Sequence, residues 1–277
     1  MPWELWLRPP PRELANVVIG LWGGDSESDF ARHRLLPNGE IWLMFNLGPP
    51  QRLVEAEAAA GSPLLRTVFV GGLQESPLTF ESVIRHPRAV AVRFRPLGAW
   101  TFFGGLPLME LTNKVFDLEA ILGARAGVER LRQRLIEAPH LGAALDHLED
   151  WLLSRMLGAS RPHPLTRAAL QRLATDEGDL RVEGLARELG VSARYLNGLF
   201  HREVGLSVKG LHRILRFERA LDEILAAAGQ DLSAVAHACG YYDQSHLNRD
   251  FRELAGMTPT ELMPRVFQAP GWREIQA

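Results

Sequence analysis

The chain has 277 residues, 46% apolar and 23% charged, which excludes global disorder and, at roughly 100–200 residues per domain, points to two domains. Its single cysteine, Cys239, excludes an internal disulfide framework and any cysteine-rich zinc module, and no apolar run reaches the roughly 18 residues needed to span a bilayer. Net charge is −2, from 31 basic and 33 acidic residues, which taken alone argues against a nucleic-acid partner.

The opening Met1-Pro2-Trp3-Glu4-Leu5-Trp6 has no basic flank leading into an apolar stretch and a small-residue cleavage site, so the expected location is cytoplasmic, with no membrane partner. Residues 41–47 are apolar on both faces and follow the turn signal Pro37-Asn38-Gly39, the pattern of a central strand. Residues 67–70 run into Gly71-Gly72, residues 79–84 read as a further strand, and residues 89–95 place Val90, Val92 and Phe94 on one face. Short strands punctuated by Gly and Pro predict a small cupin-like barrel or sandwich. Trp42, Phe45, Phe94, Trp100, Phe102 and Phe103 are expected mostly in its core, with a share left to line a ligand pocket.

After about residue 125 the period becomes helical. Val128, Leu131 and Leu135 recur at three and four, and Leu141, Leu145, Leu148 and Leu152 continue as an a/d-like stripe. Two heptads are too few for an independent coiled coil; the stripe is read as a contact between two copies, with packing on its own domain as the alternative. Breakers between residues 158 and 164 mark a linker. The expected fold is therefore α+β, divided into a β-rich domain (1–123), a helical dimerisation or linker segment (124–160) and an all-α domain (161–277).

The helical part contains an internal repeat. Ala186 and Gly190, then Leu196, Phe200 and Gly205, are matched by Ala236 and Gly240, then Leu247, Phe251 and Gly256. In each copy a small Ala permits a close helix crossing, and a Gly four residues later supplies the positive φ that ends one helix and reverses the chain. Ser192 and Asp243 are suitable N-caps for the following helices, which Leu196 with Phe200 and Leu247 with Phe251 would anchor. This is the grammar of two helix-turn-helix motifs, and residues 207–228 read as one long helix joining them.

The outward positions of the second helix of each copy are polar: Arg194, Asn197 and His201, then Gln244, Ser245, Asn248 and Arg249. Arg can bridge the acceptors of guanine, and Asn or Gln can pair with adenine in the major groove. Between residues 187 and 219 seven basic residues (Arg187, Arg194, Arg202, Lys209, Arg213, Arg216, Arg219) face three acidic ones, a local stripe suited to phosphate. Double-stranded DNA is the partner these features select; a helical interaction scaffold with polar outer faces is the alternative.

With those residues in view, 165–267 resembles the AraC/XylS family of bacterial transcription regulators. The likeness is most specific at Gly240-Tyr241-Tyr242-Asp243-Gln244-Ser245-His246-Leu247-Asn248-Arg249-Asp250-Phe251 and Gly256-Met257-Thr258-Pro259, and extends to Ser192-Ala193-Arg194-Tyr195-Leu196. It implies base reading by Arg194 and Asn197 on one helix and by Gln244, Ser245 and Arg249 on the other. Gly198 departs from the basic residue common there, which implies fewer contacts from the first helix. The resemblance also implies a sensor-like N-terminal domain with a small-molecule effector, a homodimer, and contact with RNA polymerase. Val70-Gly71-Gly72-Leu73-Gln74 and residues 93–99 look, more loosely, like the N-terminal domains of such regulators.

Catalytic chemistry finds little support. A cupin-like barrel invites a metal, yet His33 and His86 stand 53 residues apart with no His-x-His pair, so neither a metal site nor a cofactor is expected. Gly23-Gly24, Gly71-Gly72 and Gly104-Gly105 lack the Lys-Ser/Thr of a phosphate loop. Cys239 reads as a small buried filler. The competing class is a small-molecule-binding or enzymatic cupin-like protein with an accessory helical domain; a regulator without an effector is a third.

Overall fold

The structure, a computed structural model, describes residues 4–25, 32–48, 51–54, 64–65, 67–82, 88–123, 126–156, 160–176, 180–226, 231–269 and 272–276. Its first half is built from strands β1 (Glu4–Arg8), β2 (Val18–Asp25), β3 (Arg32–Leu35), β4 (Ile41–Asn46), β5 (Gln51–Val54), β6 (Leu64–Leu65), β7 (Val68–Gly71), β8 (Leu78–Ser82), β9 (Arg88–Phe94) and β10 (Val115–Asp117). One antiparallel sheet has the order β1-β2-β9-β4-β7-β10, and the others of these strands lie in a second sheet. Strands expected at 41–47, 67–70, 79–84 and 89–95 thus correspond to β4, β7, β8 and β9, each displaced by a residue or two.

Alternation along the central strands explains why both sheet faces are covered. On β4, Ile41, Leu43 and Phe45 point into the main core, while Trp42 and Met44 point the other way. Trp42 meets Phe69 of β7 and Phe80 of β8 edge-on, at centroid separations of 5.6 and 5.9 Å. This aromatic layer joins the two sheets face to face, as period-two side chains require. A strand buried on both faces reads as continuously apolar, which is why residues 41–47 carry no polar alternation. All six aromatics expected in the core are buried.

The opposite face of the first sheet is covered by helices. These are α1 (Pro96–Phe102), α2 (Leu118–Leu122), α3 (Val128–Glu137) and α4 (Leu141–Arg155). Leu141, Leu145, Leu148 and Leu152 are all buried in the core, with α4 lying against β1, β2 and β9. The leucine stripe is therefore not a face for a second copy, because the protein's own sheet consumes it; sequence periodicity gives an apolar face but not what it faces. Arg8 on β1 pairs with Asp146 on the outer side of α4.

The second half is helical: α5 (Pro164–Thr175), α6 (Val182–Glu188), α7 (Ala193–Glu203), α8 (Val208–Ala226), α9 (Leu232–Ala238), α10 (Gln244–Ala255) and α11 (Pro259–Leu262). The end of the chain leaves this helical region. Strands β11 (Val266–Ala269) and β12 (Trp272–Gln276) complete the second sheet, whose order is β11-β12-β3-β8-β5-β6. The sequence reading assigns the whole of 161–277 to the helical domain and does not anticipate this return. Among the described residues no helix is long and apolar enough to cross a membrane.

Candidate nucleic-acid interface

The helix pairs α6–α7 and α9–α10 are built by the same local devices. Gly190 and Gly240 sit at φ +71° and +74°, the conformation that reverses the chain after α6 and α9. In one pair Val191 N–H donates to Ala186 O at 2.9 Å, and in the other Tyr241 N–H donates to Ala236 O at 2.8 Å. These bonds satisfy the last carbonyls of each first helix. Each second helix is then started by a side-chain cap: Ser192 Oγ accepts from Tyr195 N–H at 3.2 Å, and Asp243 Oδ1 from His246 N–H at 2.7 Å. Leu196, Phe200, Leu247 and Phe251 are fully buried, so both helices hold one face to the core and turn the other outward.

Arg194, His201, Gln244, Ser245 and Arg249 lie exposed on α7 and α10, and Asn248 is partly exposed. Asn197 is differently engaged. Its Oδ1 accepts from Val208 N–H at 3.1 Å, at the first residue of α8, so its oxygen holds the start of the connecting helix. Gly198 leaves open space on the α7 surface, with no atom within 4 Å of where a β-carbon would stand. Tyr195 and Tyr242, 49% and 84% exposed, flank the reading positions and are not among the residues expected from sequence, although an aromatic beside an N-cap is visible there.

Four of the seven basic residues of the stripe have partners within the protein. Arg202 pairs with the buried Glu203, whose other oxygen accepts from His163 N–H at 2.9 Å. Arg213 Nε donates to Asp250 Oδ1 at 2.7 Å and Arg216 Nη2 to Asp250 Oδ2 at 2.9 Å, while Arg213 also pairs with Glu253. The Arg216 guanidinium lies 4.3 Å from the ring centroid of Tyr241, a cation–π contact. Burial, with the Asp250 charge added, pushes the Tyr241 phenol well above its usual pKa, so it stays neutral. Arg219 donates to Asp176 O at 2.6 Å. Arg213, Arg216 and Arg219 fix α8 to its neighbours, while Arg187, Arg194 and Lys209 remain exposed. The network was not read from sequence, though Arg213 and Arg216 stand one turn apart and Asp250 interrupts the apolar face of α10.

Cys239 is buried at the end of α9, and burial, with Glu223 nearby, pushes its thiol pKa up, as suits a filler rather than a reactive thiolate. His33 lies on β3, and His86 is outside the described residues. The β-rich half meets the first helix pair directly: Thr112 Oγ1 donates to Gly205 O at 2.6 Å, and the Asn38-Gly39 turn rests against Leu211 and Leu215 of α8.

Residues 185–265 match the family model described as a helix-turn-helix domain, and residues 8–117 match a domain of unknown function, DUF6597. The HTH-type transcriptional regulator GadX of Escherichia coli O6:H1 is 29% identical over 140 residues, covering 50% of each protein. The regulator GlxA of Rhizobium meliloti is 30% identical over 104 residues, 37% of this chain and 32% of that protein. The chain thus spans half or less of the length of these curated relatives. A 1.65 Å structure of ToxT from Vibrio cholerae shares the fold, with a TM-score of 0.50, 11% identity, and coverage of 88% of this chain and 97% of that one. Repeated helix pairs with matching turns and caps, the helix-turn-helix match and these relatives together make residues 185–265 a helix-turn-helix domain similar to those of HTH-type transcriptional regulators, with a β-rich domain ahead of it.

Proposed function

We propose that this protein is a sequence-specific DNA-binding regulator of transcription that carries two helix-turn-helix motifs and reads two successive major grooves with α7 and α10. The observation that carries the reading is the pair of like-capped helices with polar outer faces. Their connector α8 has 19 residues, and at ~1.5 Å per residue it spans about 28 Å, near the ~34 Å between grooves on one face of a duplex. Arg194 and His201 on α7, and Gln244, Ser245, Asn248 and Arg249 on α10, are the base-reading candidates; Asn197 belongs with them only through its amide nitrogen. With Asn197 half engaged and Gly198 bare, α10 carries the larger share of specificity.

In this reading the β-rich, cupin-like half is the sensor, and a small molecule or partner acts by binding two states unequally. A homodimer, contact with RNA polymerase and a cytoplasmic location belong to the same reading. A dimer would use a surface other than the leucine stripe of α4, which is buried. The enzymatic alternative gains nothing from the regulators among its relatives.

Fluorescence anisotropy with labelled DNA from upstream of the coding sequence tests the proposal. Affinity should fall linearly on a log–log plot against salt, as counterion release demands. No binding even at about 50 mM salt, the low end of the range in which such contacts are measured, would contradict it.

A further inference from the structure

The chain end returns to the β-rich half by a defined register. β12 lies antiparallel to β3, with Glu274 opposite Leu35, Ile275 opposite Arg34 and Gln276 opposite His33. The other side of β3 is taken by β8, and β11 covers the far side of β12. Without β12, β3 would be an edge strand, whose unpaired N–H and C=O groups are a template for strand addition.

A second contact joins the same strand to the same helix pair. Gly256 closes α10 at φ +76°, and a β-carbon placed there would stand 3.2 Å from Arg34 Nη1. β3 therefore meets the α9–α10 unit at the end of α10 and again at the end of the chain. The first unit is already tied to the β-rich half through Thr112 and Gly205. Both helix pairs thus touch the β-rich half outside α8, the first through a hydrogen bond and the second through close approach.

We propose that the edge of β3 is a strand-acceptor site whose partner is the chain's own C-terminal strand, and that this strap latches the second helix pair until it is released. The inference rests on the DNA-binding reading above. The ladder holds three opposed pairs where β2 and β9 share seven, so the strap opens more readily than the body it joins. While it is closed, α10 cannot shift independently of α7, and seating both helices along a duplex draws on the open state. DNA binding and strap opening are then linked, and anything that occupies the β3 edge in place of β12 changes DNA affinity by the same factor that DNA changes its own.

The test is a disulfide trap in the full chain, Arg34→Cys with Ile275→Cys, in which the native Cys239 is buried. Oxidation should give a cross-link within one chain, and the oxidised protein should bind the upstream DNA at least fivefold more weakly than the reduced protein. An interchain cross-link, no cross-link, or equal affinity in the two states would overturn the latch. If neither state binds DNA, the DNA-binding reading fails, and the latch is judged separately by Ile275→Pro, which removes a ladder donor. In that full-length variant the amides of β3 that face β12 should exchange hydrogen at least tenfold faster while those facing β8 stay protected, and unchanged exchange would refute the strap.

Discussion

Removing the Asp250 carboxylate leaves two guanidinium groups on α8 without the acceptor that now holds both, one of them on the largely buried Arg216. An unpaired charge in that position costs more than the pair contributes. Because Arg213 is about one-third exposed, water recovers part of the loss, and Asp250→Ala should lower unfolding free energy by about 2–3 kcal/mol. Urea titration measures this, and a change below about 0.5 kcal/mol, the scatter of ordinary surface substitutions, would contradict the network. Tyr241, in contact with Arg216, gives a pH signature. Its phenol pKa is raised in the folded protein, so above about pH 10 the unfolded chain ionises this residue while the folded chain keeps its proton. Stability should be indifferent to this group below pH 10 and fall as pH rises beyond it. In an alkaline absorbance titration one of the three tyrosines should stay silent until unfolding, and Tyr241→Phe should abolish that silent fraction.

At the scale of elements, α7 and α4 make opposite demands on their residues. Gly198 is an exposed glycine inside α7 with free space around its α-carbon, so Gly198→Ala should raise stability by about 0.5–1 kcal/mol through helix propensity alone. A rise in melting temperature checks it; a fall would mean that space is needed. Leu148 of α4 is fully buried against the sheet, and Leu148→Ala should cost about 2–5 kcal/mol while leaving sedimentation at a given concentration unchanged. Loss of a dimer at unchanged stability would restore the intermolecular reading of the stripe. That stripe shows where sequence reading stops: the a/d spacing of Leu141, Leu145, Leu148 and Leu152 defines an apolar face, and only β1, β2 and β9 decide what covers it. Turn glycines and caps are different, because Gly190, Gly240, Ser192 and Asp243 act on their own neighbours, and their roles were legible from spacing.

For the whole molecule, the long-range partners are what sequence concealed. Nothing in residues 266–276 announces a strand destined for β3, since a short hairpin's partner depends on where the preceding helices deliver it. The basic stripe is thinned for the same reason: of seven basic residues between 187 and 219, three have Glu203, Asp250 and Glu253 folded beside them. The candidate interface depends on local devices repeated twice. What remains outward on α7 and α10 is a small set of polar side chains, and specificity rather than bulk charge is what they can supply. The most direct measurement is a base-substitution scan of the bound upstream DNA with the wild type, Arg194→Ala and Arg249→Ala. The wild type should show two sensitive clusters about one helical turn, 10–10.5 base pairs, apart on one face of the duplex. Each variant should relax discrimination at one position of a different cluster by about 1–3 kcal/mol. A single cluster, or two variants that weaken every sequence equally, would contradict a protein that reads DNA with both helices.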